Sequence, residues 1–143
     1  MGAIAVKKGR FDVVLKAVII YDDFDSATRA TALLERVAIR ADEGIKLDIR
    51  PWRFDILKQP TVLALTVAAA ANADLIVLAL RRTRSATAEL LGWLKNWAEH
   101  RQIKDAAMMA LCSGKTQAPS VFWNELKTFA AVNGLTVLDG HNV

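Results

Sequence analysis

The sequence has little of the chemistry that metals, disulfides and membranes require. It contains one cysteine, Cys112, and two histidines, His100 and His141, neither of which has a cysteine, histidine or acidic partner at metal-ligand spacing. A single cysteine excludes an intrachain disulfide, and the isolated histidines give no zinc-type spacing. No apolar stretch approaches the ~20 residues that a membrane-spanning helix needs. We therefore expect a cytoplasmic protein without a cofactor, a metal centre or a membrane partner.

The excess of positive over negative charge is also small. The chain has 19 Lys and Arg residues against 15 Asp and Glu residues, a net charge of +4. The basic residues are spread along the chain, whereas nucleic-acid-binding proteins usually collect them in a stripe with interleaved aromatic residues. We therefore do not expect nucleic acid to be a partner.

What the sequence does contain is a high proportion of apolar residues, 53% of 143. This length and composition suit one domain with elements buried on more than one side. We expect a single α/β domain over residues 1–143. Within it, residues 1–12 form an N-terminal extension that would add a strand or a hairpin.

Apolar runs alternate with helical patterns along the chain. Strands are predicted at Lys16–Asp22, Ile45–Ile49, Leu75–Leu80, Ala106–Cys112 and Leu135–Leu138. The helices between them are predicted to start near Ser26, Pro60, Ser85 and Pro119, where hydroxyl residues suit N-caps and prolines suit first turns. Gly134 is predicted to end the last helix in the left-handed conformation.

Apolar patterning also predicts the strand order. The second strand alternates apolar and polar residues and the last is short, so both are expected at edges. The third and fourth strands are apolar at every position, which is typical of interior strands. These features predict a three-layer, doubly wound parallel sheet of five strands in the flavodoxin-like order 2-1-3-4-5.

A fifth helix usually closes this fold, but only four residues follow Asp139 in this sequence. Without that helix, part of one sheet face would be exposed to water. Leaving about 400 Å² of apolar surface wet forgoes roughly 10 kcal/mol, comparable with the stability of a whole domain. Either the extension at Ile4–Phe11 or the same face of a second copy could cover it. Because Lys7, Lys8 and Arg10 make the extension a poor cover on its own, we expect a homodimer.

Residues 18–30, continuing to Leu33 and Leu34, resemble the first strand and helix of bacterial response-regulator receiver domains. In that family two adjacent acids close the first strand and bind Mg²⁺ beside a phosphorylated aspartate. The resemblance implies that Asp22 and Asp23 match the acidic pair. Ser113 matches the small hydroxyl residue after the fourth strand.

Two family features are missing. The third strand should end in the phospho-acceptor aspartate, but here Leu78, Ala79 and Leu80 are followed by Arg81 and Arg82. The lysine expected at the end of the last strand is also absent. The chain thus resembles a degenerate receiver without a phosphoryl acceptor. We expect Arg81 or Arg82 to face Asp22 and Asp23, where an arginine could replace a metal or form an ordinary salt bridge at the rim.

Two further positions are candidates for ligand contact. Lys115 precedes a predicted helix N-terminus and would suit an anion, although residues 113–116 complete no P-loop because Met109 stands where that motif needs glycine. Trp52 follows the second predicted strand, where an aromatic ring either lines a pocket or seals the core. The seal is the preferred interpretation.

Three functions fit these residues. The leading hypothesis is a non-catalytic receiver-like module of a signalling pathway that binds a second copy or another protein. The alternative is a sensor that binds an anion or nucleotide beside Lys115, Arg81 and Trp52. The third is a Mg²⁺-dependent hydrolase using Asp22 and Asp23, for which the sequence offers no nucleophile or base.

Overall fold

The computed structural model describes residues 13–41, 45–57, 59–80, 88–112 and 120–139. The extension at residues 1–12 lies outside these ranges. The strands are β1 (Val13–Tyr21), β2 (Ile45–Arg53), β3 (Leu75–Leu80), β4 (Ala107–Cys112) and β5 (Thr136–Asp139). The helices are α1 (Phe24–Ala41), α2 (Phe54–Leu57), α3 (Pro60–Ala70), α4 (Ala88–His100) and α5 (Ser120–Asn133).

The five strands form one parallel sheet in the order β2-β1-β3-β4-β5. Ala17 of β1 lies between Ile49 of β2 and Leu75 of β3 in the register. The predicted flavodoxin-like α/β fold is therefore confirmed, with β2 and β5 at the edges. All six residues of β3 are buried, none more than 6% exposed, as expected for an interior strand with helices on both faces.

The larger core lies between the sheet and helices α3, α4 and α5. Val67 of α3, Trp93 of α4 and Leu126 of α5 are all buried in this core. Trp93 and Trp97, both on α4, are at most 1% exposed. The two residues lie four positions apart, on the same face of α4. On the opposite face, Ala30 and Leu34 of α1 pack against β1 and β3.

The exposure of the sheet face beside α1 increases from β3 toward the edge strand β5. Val77 is fully buried and Met109 is 4% exposed, while Leu138 of β5, next to Met109 in the register, is 38% exposed. This face is therefore buried at β3 and in the middle of β4, whereas Ala107 and Leu111 of β4 are half-buried and β5 is exposed. The homodimer predicted to cover this face stays a prediction.

Helix α5 ends as the sequence predicts. Gly134 has φ 67°, and the backbone N–H of Leu135 donates to the carbonyl oxygen of Ala130 at 2.9 Å. This is the hydrogen bond of a Schellman motif, in which glycine takes the left-handed position without steric cost. Along the described residues, no helix is both long and apolar enough to cross a bilayer.

Candidate switch edge

The carboxyl ends of β1 to β4 meet at one edge of the sheet, where ligands of this fold usually bind. The sequence places every candidate site residue at or just beyond this edge. Four of these residues, Arg81, Arg82, Ser113 and Lys115, lie outside the described residues. The expected pairing of an arginine with Asp22 and Asp23 therefore stays a prediction.

Asp22 and Asp23 follow β1 directly and are both half-buried. The backbone N–H of Ser26 donates to Oδ1 of Asp23 at 2.8 Å, and the N–H of Ala27 donates to the Asp23 carbonyl oxygen at 3.2 Å. Asp23 is therefore the N-cap of α1, and its negative charge lies at the positive end of the helix dipole. The prediction that Ser26 caps this helix is wrong. Ser26 lies within the first turn and is buried.

This cap gives one member of the acidic pair a role in folding. One oxygen of Asp23 already accepts the backbone N–H of Ser26. Across the ranges that the structure describes, no group of three or more histidine, cysteine or acidic side chains is placed to hold a metal ion.

The end of β3, where a receiver carries its acceptor, is apolar and buried. Leu78 and Leu80 belong to the core beneath α3 and α4 and are 1% and 4% exposed. Ala79 lies opposite Tyr21 of β1 on the other face. A carboxylate placed at Leu78 or Leu80 would lose its hydration.

Trp52 lies within β2, which extends to Arg53 instead of ending at Ile49 as predicted. Its side chain packs against the larger core, with its ring centroid 6.2 Å from that of Trp93 and an interplanar angle of 79°. This edge-to-face contact is a favoured aromatic geometry. It supports the interpretation that Trp52 seals the core.

The sequence did not predict a pair of hydrogen bonds that joins Trp93, the residue contacted by Trp52, to α3. The indole Nε1 of Trp93 donates to Oγ1 of Thr66, and Oγ1 of Thr66 donates to the Leu63 carbonyl oxygen, each at 2.9 Å. Thr66 is buried, 6% exposed, in a helix whose other residues are apolar except Thr61. The sequence signal for this bond is the position of Thr66, which shares a helix face with apolar residues. A hydroxyl buried among apolar side chains needs a hydrogen-bond partner.

The edge also carries an exposed aromatic side chain that sequence reasoning missed. Phe24, the first residue of α1, is 78% exposed beside the acidic pair. Arg53 and Asp55 form an exposed ion pair at 3.6 Å at the end of β2. The described part of the edge is thus a charged rim with one protruding apolar ring.

A second concave surface lies away from this edge, between α4 and α5. It is a groove of about 700 Å³ whose lining includes Leu91, Phe129 and Val132, with charged side chains among them. Next to its Asn133 end, the Arg101 guanidinium donates to the Ala98 carbonyl oxygen of α4 and the Asn133 carbonyl oxygen of α5. Arg101 therefore links the ends of these helices.

No family model matches this chain, and no curated protein or solved structure matches it either. The fold is accordingly assigned from strand order and register alone.

Proposed function

We propose that the protein is a non-catalytic, receiver-like regulatory module that acts by binding another protein chain. The observation that carries this proposal is the buried, apolar end of β3. Leu80, the last residue of that strand, is 4% exposed and packs in the core.

Phosphotransfer to a receiver needs a carboxylate nucleophile within reach of solvent and of the phosphodonor. The strand that should supply it ends in Leu78, Ala79 and Leu80, none of which has a nucleophilic atom. The domain therefore has the receiver-like strand order without the group that makes it a chemical switch.

The acidic pair is consistent with this proposal. Asp23 stabilises the first turn of α1 through its cap, so an acid at this position is useful without a metal or phosphate. The sensor alternative needs Trp52 to stack on a ligand, whereas this ring packs on Trp93. No described residue favours that alternative.

The experiment is incubation with acetyl phosphate and Mg²⁺ followed by intact mass spectrometry at neutral pH. We expect no phosphoryl adduct on the folded protein. Asp22→Asn and Asp23→Asn variants serve as matched controls for attack at the acidic pair. A single hydroxylamine-sensitive adduct, present in the unmodified protein and lost in one of these variants, would refute the proposal.

A further inference from the structure

The outer edge of β2 is the longest unpaired backbone edge among the described strands. β2 spans nine residues, ends the strand order, and has no strand beyond it in the described part of the chain. Unpaired N–H and C=O groups on such an edge are able to pair with another strand. Which groups point outward decides which partner fits.

The orientation of β1 follows from its contact with the start of β3. The backbone N–H of Asp74 donates to the carbonyl oxygen of Lys16 at 2.8 Å. Even-numbered residues of β1 therefore direct their backbone groups toward β3, and odd-numbered residues such as Ala17 direct theirs toward β2.

The orientation of β2 then follows from the register. Ala17 lies opposite Ile49, and a residue that faces a parallel neighbour bonds the two residues flanking its opposite number, here Asp48 and Arg50. The odd-numbered residues of β2 therefore point their backbone groups outward. This set consists of Ile45, Leu47, Ile49, Pro51 and Arg53. Pro51 agrees with the assignment, because a proline on the outward side removes no bond to β1.

The side chains of residues 45–49 are self-complementary about Leu47. Ile45, Leu47 and Ile49 are half-buried on the α1 side, while Lys46 is exposed and Asp48 half-buried on the other side. If a second copy runs antiparallel with Leu47 opposite Leu47, each Lys46 lies opposite an Asp48 and each Ile45 opposite an Ile49. Opposite charges and apolar pairs are both favourable across strands.

We infer that β2 pairs with β2 of a second copy about a two-fold axis at Leu47, joining two sheets into one continuous sheet. Leu47 exchanges both backbone hydrogen bonds with its symmetry mate, and Ile45 exchanges them with Ile49 of the second copy. The inference rests on the proposed function, since it names a second copy as the partner of the module.

Two neighbouring registers fit less well. Centring the pair on Asp48 puts Asp48 opposite Asp48 and Lys46 opposite Arg50, so that like charges face each other. Centring it on Ile49 brings Pro51 opposite Leu47, where the missing N–H leaves a carbonyl group without its bond. Charged residues and proline often protect sheet edges from pairing. The charges on β2 do not have this effect in the Leu47-centred register, because Lys46 and Asp48 have opposite signs and face each other.

The test is a charge exchange read by sedimentation equilibrium. Lys46→Glu alone and Asp48→Lys alone each place like charges opposite each other twice, so each should raise the dimer dissociation constant ~10-fold or more. The double variant restores opposite charges and should return the constant to near its original value. Lys127→Glu, an exposed charge reversal on α5, is the matched control and should have no such effect.

Hydrogen exchange gives a second readout on the unmodified protein. The amides of Leu47 and Ile49 should be protected at high concentration and lose protection on dilution. The amides of Asp48 and Arg50, bonded to β1, should stay protected throughout. Three results would each overturn the inference. They are a monomer at every concentration, a dimer whose dissociation constant is unchanged in all the variants, and a double variant whose dissociation constant is as high as those of the single variants. A dimer whose dissociation constant is the same in all variants would overturn this inference and leave the proposed function standing. A phosphoryl adduct would refute the proposed function, and it would give no information on pairing at the β2 edge.

Discussion

The indole nitrogen of Trp93 donates a 2.9 Å hydrogen bond to the hydroxyl oxygen of Thr66, and both side chains are buried. The bond joins α4 to α3, and Trp52 contacts the ring of the same Trp93. It fixes the orientation of Trp93, against whose ring Trp52 packs. The seal at the end of β2 thus depends on a polar contact inside an apolar layer.

Replacing Thr66 with valine should destabilise the fold by about 1–3 kcal/mol, because the Trp93 N–H would remain buried without an acceptor. Valine keeps the branched shape, so little packing volume changes. Chemical denaturation monitored by far-ultraviolet circular dichroism measures the loss. Thr66→Ser should retain most of the stability, and Thr61→Val, at an exposed position of the same helix, should change it little. Equal stability of the Thr66→Val and Thr61→Val variants would show that the hydrogen bond is unimportant.

Removing the N-cap with Asp23→Ala should cost about 1 kcal/mol of unfolding free energy, within a range of roughly 0.5–2. Asp23→Ser should recover most of that loss, since a hydroxyl oxygen also accepts the Ser26 N–H. Asp25→Ala removes a neighbouring acid whose ion pair with Arg29 spans 3.8 Å at the surface, and it should cost less. If Asp25→Ala were the more damaging change, the cap assignment would be wrong.

The sequence predicted the fold because its strongest signals are local and periodic. The uniformly apolar β3 and the alternating β2 indicated which strands are interior and which lies at an edge. The errors have local causes as well. Ser26 and Asp23 are both good capping residues, and sequence alone did not show which of them closes the first turn. β2 was predicted too short because Pro51 interrupts its pattern, although proline is tolerated on the outward side of an edge strand.

The two glycines at the described helices should respond oppositely to alanine. Neither has a neighbouring atom within 4 Å of an added Cβ, so the backbone conformation alone decides the outcome. Gly134→Ala should destabilise by about 1–2 kcal/mol, because alanine is strained at φ 67°. Gly92→Ala, within α4, should stabilise by roughly 0.5–1 kcal/mol. Thermal unfolding of the two variants measures both effects, and a shift of the same sign in both would contradict this explanation.

Binding of Mg²⁺ at Asp22 and Asp23 should be weak, with no measurable heat in calorimetry at millimolar metal. One Asp23 oxygen accepts the Ser26 N–H, and Arg81 or Arg82 is predicted to compete for the same carboxylates. An Arg81→Ala, Arg82→Ala double variant should therefore bind Mg²⁺ more tightly. Tight binding by the unmodified protein would contradict both parts of this prediction.

The candidate site was less predictable than the fold. The sequence shows the two adjacent acids after β1 and the lack of an acceptor aspartate at the end of β3. Both features depend only on which residue types stand at the ends of predicted strands. The Trp93–Thr66 bond joins residues 27 positions apart, and only the packing of α3 on α4 brings them together. The self-complementary β2 edge became visible once the register showed which backbone groups face outward.

The most direct test of the claim that the module associates with a second copy of itself is its mass in solution. Light scattering on a size-exclusion column at micromolar concentration should give twice the 15.7 kDa chain mass. A monodisperse particle of 15.7 kDa at every concentration tested would contradict the account, because no second copy would then occupy the β2 edge.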